Sequence, residues 1–206
     1  MSTKKYHLPE TVAAIDLGSN SFHMIVARLE ESGTLSVIDR LRQNVRLGGG
    51  LNDNGIIDQS TLNKAFECLE TFAQRIRDLP DSAVRIAGTN TLRVAKNSRN
   101  FVKQAENILN HSIEIIGGRE EARLIYLGVA HGLATKEGER LMVDIGIGST
   151  ELIITRGMKT KCLENLTTRC IRYSKRYLPN SKISKKAIKA SNPEALLTLI
   201  QHFNSY

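Results

Sequence analysis

One pattern occurs twice in this chain and restricts what it can fold into. An apolar run ends in Asp, one apolar residue and a Gly follow, and a short polar segment leads into a second apolar run. The first copy is Ala14-Ile-Asp16-Leu-Gly18-Ser19, and the second is Met142-Val-Asp144-Ile-Gly146-Ile-Gly148-Ser149. Each copy reads as a β-hairpin: strands over 12–16 and 22–29 flank the turn 17–21, and strands over 141–145 and 150–155 flank the turn 146–149. In such turns glycine permits positive φ and lets backbone N–H groups approach an anion, while the Asp places a carboxylate at the strand end. A single Asp-x-Gly turn is an ordinary hairpin, but two in register imply two related halves.

Between the copies the apolar spacing lengthens. A strand over 35–45 ends at Gly48-Gly-Gly50, and Ser60 is placed to cap a helix reaching about residue 79. In that helix Leu62, Phe66, Leu69, Phe72 and Ile76 recur at three and four residues, the stripe of a core-facing helix. A strand over 84–88 precedes a helix carrying Phe101, Val102, Ala105, Ile108 and Leu109. A strand over 113–116 precedes a helix over 119–131 with Ala122, Ile125, Tyr126 and Val129 on one face. The alternation predicts an α/β fold with a first lobe over 1–133 and a second over 134–206. Pro193 is placed to open a short terminal helix.

The chain has 206 residues, 41% of them apolar, enough to bury a core. No window of eighteen apolar residues predicts a transmembrane segment, and the first residues lack the apolar stretch of a secretory signal. Cys68, Cys162 and Cys170 form neither a disulfide framework nor a zinc set, which predicts a reducing cytoplasm. The formal charge of +8 is concentrated: residues 1–154 hold 18 Lys and Arg against 19 Asp and Glu, and residues 155–206 hold 11 against 2. Lys182, Lys185, Lys186 and Lys189 lie at helical spacings, yet aromatic interleaving is slight and no nucleic-acid module is present, so a specific nucleic-acid partner is not expected.

Four ordered motifs carry a specific resemblance: Ala14-Ile-Asp-Leu-Gly-Ser-Asn-Ser-Phe-His-Met24, Gly88-Thr-Asn-Thr-Leu-Arg93, Glu120-Glu-Ala-Arg-Leu-Ile125 and Val143-Asp-Ile-Gly-Ile-Gly-Ser-Thr-Glu-Leu152. Together they resemble the exopolyphosphatase and guanosine pentaphosphate phosphohydrolase family, from about residue 12 to residue 184. The resemblance implies the actin-like (sugar kinase, Hsp70, actin) α/β fold with a cleft between two lobes. It also implies removal of the terminal phosphate from inorganic polyphosphate or guanosine pentaphosphate. Residues 21–24 and 43–47 look nearer the exopolyphosphatase branch.

Carried over residue by residue, the resemblance makes Glu121 the general base that activates water. A carboxylate beside Glu120 and a phosphate chain holds protons more readily than an isolated one. Asp144 and Glu151 resemble the acidic positions that hold Mg²⁺, a hard cation suited to carboxylate and phosphate oxygens. Arg93 matches a phosphate-gripping arginine. Asn20, Ser21, Gly146, Gly148, Ser149 and Thr150 supply backbone and hydroxyl donors to phosphate oxygens. His23, alternating within a strand, reads as packing.

Departures from the family accompany the matches. Ile147 stands where the family has the middle glycine of Asp-x-Gly-Gly-Gly-Ser, and at positive φ a β-branched residue costs on the order of 1–3 kcal/mol. Gly117 replaces a usual Ser, and Arg169 a usual Gly. Residues 192–206 match no part of the family's continuation, so the second lobe is expected to be incomplete and prone to self-association, as in a homodimer. Three readings therefore stand: a cytoplasmic phosphohydrolase, peripheral at most to the inner membrane surface; a shortened relative that binds phosphate chains or a partner without turnover; and a basic nucleic-acid binder.

Each backbone donor lost from a phosphate-stabilising loop costs a factor of about 10² to 10³. On this reading the wild-type chain has little or no turnover, and Ile147→Gly restores at most part of the activity. Phosphate release from both substrates measures this, and fast turnover by a wild-type monomer contradicts it.

Overall fold

Strand β1 (Thr11–Leu17) buries Ala13, Ile15 and Leu17 and turns Ala14 and Asp16 to its other face, the period-two pattern of a half-covered strand. The computed structural model describes residues 10–132, 138–146, 149–157, 159–166, 176–178 and 183–203. The chain divides into two compact units, Met1–Ile115 and Ile116–Tyr206.

In the first unit β1 pairs antiparallel with β2 (Phe22–Leu29), which pairs antiparallel with β3 (Leu35–Gln43). On its other side β1 runs parallel to β4 (Val84–Gly88), and β4 runs parallel to β5 (Glu114–Ile115), giving a five-stranded sheet in the order β3-β2-β1-β4-β5. Helix α1 (Gln59–Ile76) buries Cys68, Leu69, Phe72 and Ile76, and α3 (Ser98–Leu109) buries Phe101, Ala105 and Leu109. Both faces join one core with Ile15, Leu17, Met24 and Ile86 of the sheet. Phe66 and Phe101 stack between the helices with ring centroids 5.4 Å apart.

Three expectations shift here. Asp58, not Ser60, caps α1: its Oδ1 accepts the Thr61 N–H at 2.8 Å, and the Ser60 hydroxyl itself donates to that oxygen at 2.7 Å. A carboxylate at this end gains from both the orphan N–H groups and the helix dipole. The helix ends at Ile76, short of residue 79. A separate short helix, α2 (Asn90–Val94), precedes α3 and carries Thr91 and Arg93.

In the second unit β6 (Glu139–Ile145), β7 (Thr150–Arg156) and β8 (Lys159–Leu166) form an antiparallel sheet in that order. Strand β8 was not anticipated, because its Lys159-Thr-Lys-Cys-Leu-Glu-Asn-Leu166 has no clean apolar alternation. Helix α4 (Gly118–Gly132) lies on this sheet, with Ala122 and Tyr126 clustered on Ile153. The Tyr126 hydroxyl donates to the Gly157 carbonyl at 2.8 Å, tying the helix to the turn before β8. Contacts thus group α4 with the second sheet, whereas the sequence reading placed it in the first lobe. Val129, expected in the core, is 41% exposed, and Ala130 packs against the Ala122, Tyr126 and Ile153 cluster instead.

Helix α5 (Lys185–Phe203) contains Pro193 in its interior instead of beginning there. Its start is set by Ser184, whose hydroxyl accepts the Ala187 N–H at 3.1 Å. No helix among the described residues is long and apolar enough to cross a membrane.

Burial in the first core pushes the Cys68 thiol up to about 12, whereas Cys162 on β8 is only half-buried. Thiolate is the reactive form, so alkylation at pH 8 followed by peptide mapping is expected to label Cys162 well before Cys68. Equal labelling rates in the folded protein contradict this packing.

Candidate active site

The two repeated hairpins have the same construction. In the first, Leu17 and Phe22 are the last paired residues, leaving a turn over 18–21; in the second, Ile145 and Thr150 are, leaving a turn over 146–149. Each turn begins with Gly and ends with Ser. A Cβ on Gly18 would lie 2.8 Å from the Ser21 carbonyl oxygen, and one on Gly146 would lie 2.9 Å from that of Ser149, so no other residue fits without moving the backbone. Asp16 faces His23 across the first hairpin, and Asp144 faces Glu151 across the second. The terminal serines then bind those facing residues: Ser21 Oγ lies 2.8 Å from His23 Nε2, and the Ser149 hydroxyl donates to Glu151 Oε1 at 2.6 Å.

In the first unit the turn is clasped from two sides. Arg46 N–H donates to the Asn20 carbonyl at 2.7 Å and Gly48 N–H to the Ser19 carbonyl at 2.8 Å. From the other side the Thr91 hydroxyl donates to Ser19 Oγ at 2.7 Å, so the start of α2 is tied directly to the turn. This link ties α2, which carries half-buried Arg93 two residues further on, to the turn that holds Asn20 and Ser21. Sequence reasoning missed the Ser19–Thr91 pair, since 72 residues separate its members. It also took His23 as packing, whereas the ring is a hydrogen-bond partner of Ser21. Burial and then the Arg42 guanidinium hold His23 below its ordinary range, so it is uncharged at neutral pH.

In the second unit Glu151 is 2% exposed, and its Oε1 accepts both the Ser149 hydroxyl and, at 2.7 Å, the Asn165 side-chain amide. Asn165 belongs to the unanticipated β8, and no local motif marks it. It also abuts α4, because a Cβ on Gly118 would collide with the Asn165 side chain. The start of α4, where Glu120 and Glu121 lie, is thereby seated against the residue that orients Glu151. The two glutamates have different surroundings. Glu120 forks onto Arg123 at 2.8 and 2.6 Å, and this pairing holds its carboxyl below the usual range. Glu121 is half-buried on the next position of the helix.

Asp144 and Glu151 thus bring two carboxylates to one face of the hairpin, Asp144 half-buried and Glu151 buried among neutral donors. That set fits a hard divalent cation of the Mg²⁺ kind, which is held by one or two carboxylates together with phosphate and water oxygens. Among the described residues no group of three or more His, Cys, Asp or Glu gathers, so the remaining ligands would come from substrate and water. Ser149 and Thr150 are buried at the turn. Gly148 and Ile147 lie outside the described residues, as do Arg169, Cys170, Arg172, Lys175 and Lys182. Lys185, Lys186 and Lys189 are exposed on α5.

Comparison with known proteins gives the family and the fold. The Ppx/GppA phosphatase family matches residues 25–205. A guanosine-5'-triphosphate,3'-diphosphate pyrophosphatase of Pseudoalteromonas atlantica is 42% identical over 185 residues, covering 90% of this chain and 36% of that relative's length. The chain therefore spans little more than a third of this curated relative. Among solved structures, the PPX-GPPA enzyme of Aquifex aeolicus superposes with a TM-score of 0.76 at 25% identity, over 93% of this chain and 63% of the other. The ethanolamine utilization protein EutJ of Carboxydothermus hydrogenoformans superposes with a TM-score of 0.50 at 13% identity, over 96% of this chain and 73% of the other, a likeness of fold alone. The fold is the actin-like α/β fold expected from the motifs.

The depressed His23 carries a pH signature. Below its ordinary value of 6.5 the unfolded chain takes up a proton that the folded chain resists. Stability from this group is therefore present above that pH and is lost as pH falls through it. His23→Gln, which keeps a hydrogen-bonding group beside Ser21, is expected to flatten the slope of unfolding free energy between about pH 7 and pH 5. Denaturant unfolding across that range reads it, and identical slopes in the two proteins contradict it.

Proposed function

The chain belongs to the Ppx/GppA phosphatase family, and from that membership we propose that it is a phosphohydrolase that removes the terminal phosphate of guanosine pentaphosphate or inorganic polyphosphate. The observation that carries this reading is the pair of matched hairpins, one facing its Asp with a neutral His and the other with a second carboxylate. The first suits an anion and the second a cation. In the first unit Asn20, Ser21 and Arg93 bind phosphate oxygens. In the second, Gly146, Gly148, Ser149 and Thr150 supply donors to phosphate.

Glu121 acts as the general base. It accepts a proton from water as the water oxygen attacks the terminal phosphorus and the anhydride P–O bond breaks, the electron pair leaving with the shortened chain. Asp144 and Glu151 hold Mg²⁺, which when bound neutralises charge on the phosphates. Ser149 and Asn165 fix the Glu151 carboxylate by donating to its Oε1. Glu120, committed to Arg123, stabilises the first turn of α4.

Self-association belongs to the same proposal. Among the described residues β6 is an edge strand of its sheet, and its outward Leu141, Val143 and Ile145 are 59%, 45% and 73% exposed, a surface that a second copy would cover. A reducing cytoplasmic setting is supported by the thiols Cys68 and Cys162.

Phosphate release from guanosine pentaphosphate and from polyphosphate, with Mg²⁺, tests the reading. Glu121→Gln is expected to lower turnover about 10²- to 10⁴-fold with phosphate-chain binding retained, and Glu120→Gln to change it little. Undiminished turnover in Glu121→Gln removes that residue from the mechanism. Phosphate-chain binding by a wild type without turnover favours a binding protein.

A further inference from the structure

Among the described residues two that are not glycine have positive φ, Arg46 at 59° and Asn110 at 55°. Asn110 is accounted for by its place. It ends α3, its N–H donates to the Glu106 carbonyl at 2.8 Å, and asparagine is one of the residues that enter the left-handed region readily. Arg46 lies in the loop between β3 and α1, where no helix end calls for that conformation, and a left-handed backbone crowds its Cβ against the following carbonyl.

The surroundings hold the strain in place. Val45 and Leu47, on either side, are 5% and 0% exposed, so both neighbours are fixed in the core. The Arg46 N–H donates to the Asn20 carbonyl at 2.7 Å, and the Arg46 carbonyl accepts the N–H groups of Gly49 at 2.8 Å and Gly50 at 3.2 Å. Every backbone group of the residue is thus committed. The side chain is not: Arg46 is exposed, and among the described residues its guanidinium has neither a hydrogen bond nor an ion pair. Strained residues that their surroundings over-determine gather at ligand-binding sites.

Location indicates which ligand a guanidinium here would serve. The Arg46–Asn20 bond and the neighbouring Gly48–Ser19 bond fix this loop to one side of the turn over 18–21, and the Thr91–Ser19 bond fixes α2, with Arg93, to the other. The turn therefore has an arginine-bearing element on each side. One phosphoryl group is satisfied by the donors of a turn and a single guanidinium, whereas a chain of them carries charge along its length and gains from a second planar fork.

We infer that Arg46 is a further substrate-binding residue, whose guanidinium takes the oxygens of an inner phosphoryl group of a phosphate chain held at the first turn. The left-handed backbone is the conformation that keeps this residue in the loop seam while leaving its side chain uncommitted. The inference rests on the phosphohydrolase reading above and adds a residue that none of the four motifs contains.

Titration of the full chain with tripolyphosphate at several salt concentrations tests it with three variants. Arg46→Gln removes the charge and keeps the backbone strain, Arg46→Asn removes both, and Arg46→Lys keeps the charge without the fork. Arg46→Gln and Arg46→Asn are each expected to bind about 10- to 100-fold more weakly, the loss of a charge-assisted contact, and Arg46→Lys to lose less. The slope of log affinity against log salt is expected to fall by roughly one in the two uncharged variants. Thermal melts are expected to place Arg46→Asn at or above the wild-type midpoint, because asparagine enters the left-handed region at smaller cost. The inference is overturned, with the phosphohydrolase reading intact, if the uncharged variants bind as the wild type does. It is equally overturned if they lose affinity with an unchanged salt slope, the mark of an altered loop, or if Arg46→Asn melts well below the wild type. A wild type that binds no tripolyphosphate overturns both.

Discussion

Backbone crowding at two turns is the constraint on which the rest of this structure depends. Gly18 and Gly146 sit so near the carbonyl three residues on that a side chain at either would meet it at 2.8 or 2.9 Å. Each turn spans four residues between the last strand pairs, 18–21 and 146–149, and opens with one of these glycines. The turn length in turn decides which residues face each other across the hairpin, because strand register changes face with every residue. Asp16 therefore faces His23, and Asp144 faces Glu151. The serine closing each turn then lies within hydrogen-bond reach of the facing side chain.

From this shared scaffold the two units diverge through one position. Where the first hairpin has an imidazole kept neutral by burial and by Arg42, the second has a buried carboxylate held by two neutral donors. The second hairpin thus holds two facing carboxylates, and the first a carboxylate facing an imidazole. The same economy of contacts places the neighbouring helices. Thr91 joins α2 to the first turn, and Asn165 joins the start of α4 to Glu151. Two residues outside the expected site thus hold it together, Thr91 through Ser19 and Asn165 through Glu151.

The elements legible in the sequence were those whose apolar residues repeat at short range. The hairpin strands, α1 and α4 follow from periods of two and of three to four, and the buried Phe72, Phe101, Ala122 and Tyr126 were identified on that basis. Strand β8 escaped because half-covered edge strands need not alternate cleanly. The start of α5 escaped because Pro193 is tolerated inside a helix whose first turn is set by Ser184. Asp58 displaced Ser60 as the cap of α1 because a carboxylate accepts both a backbone N–H and the neighbouring hydroxyl.

The amino-acid sequence alone determined the family, the α/β class and the candidate residues of the motifs, since each of these is written in local order and spacing. Tertiary structure alone decided what surrounds those residues. It turned His23 from a packing residue into the partner of Ser21, committed Glu120 to Arg123, and brought Asn165 to Glu151. The physical reason is that hydrogen bonds and burial depend on distance in space. Contacts such as Ser19 to Thr91 exist only once the sheet has brought remote segments side by side.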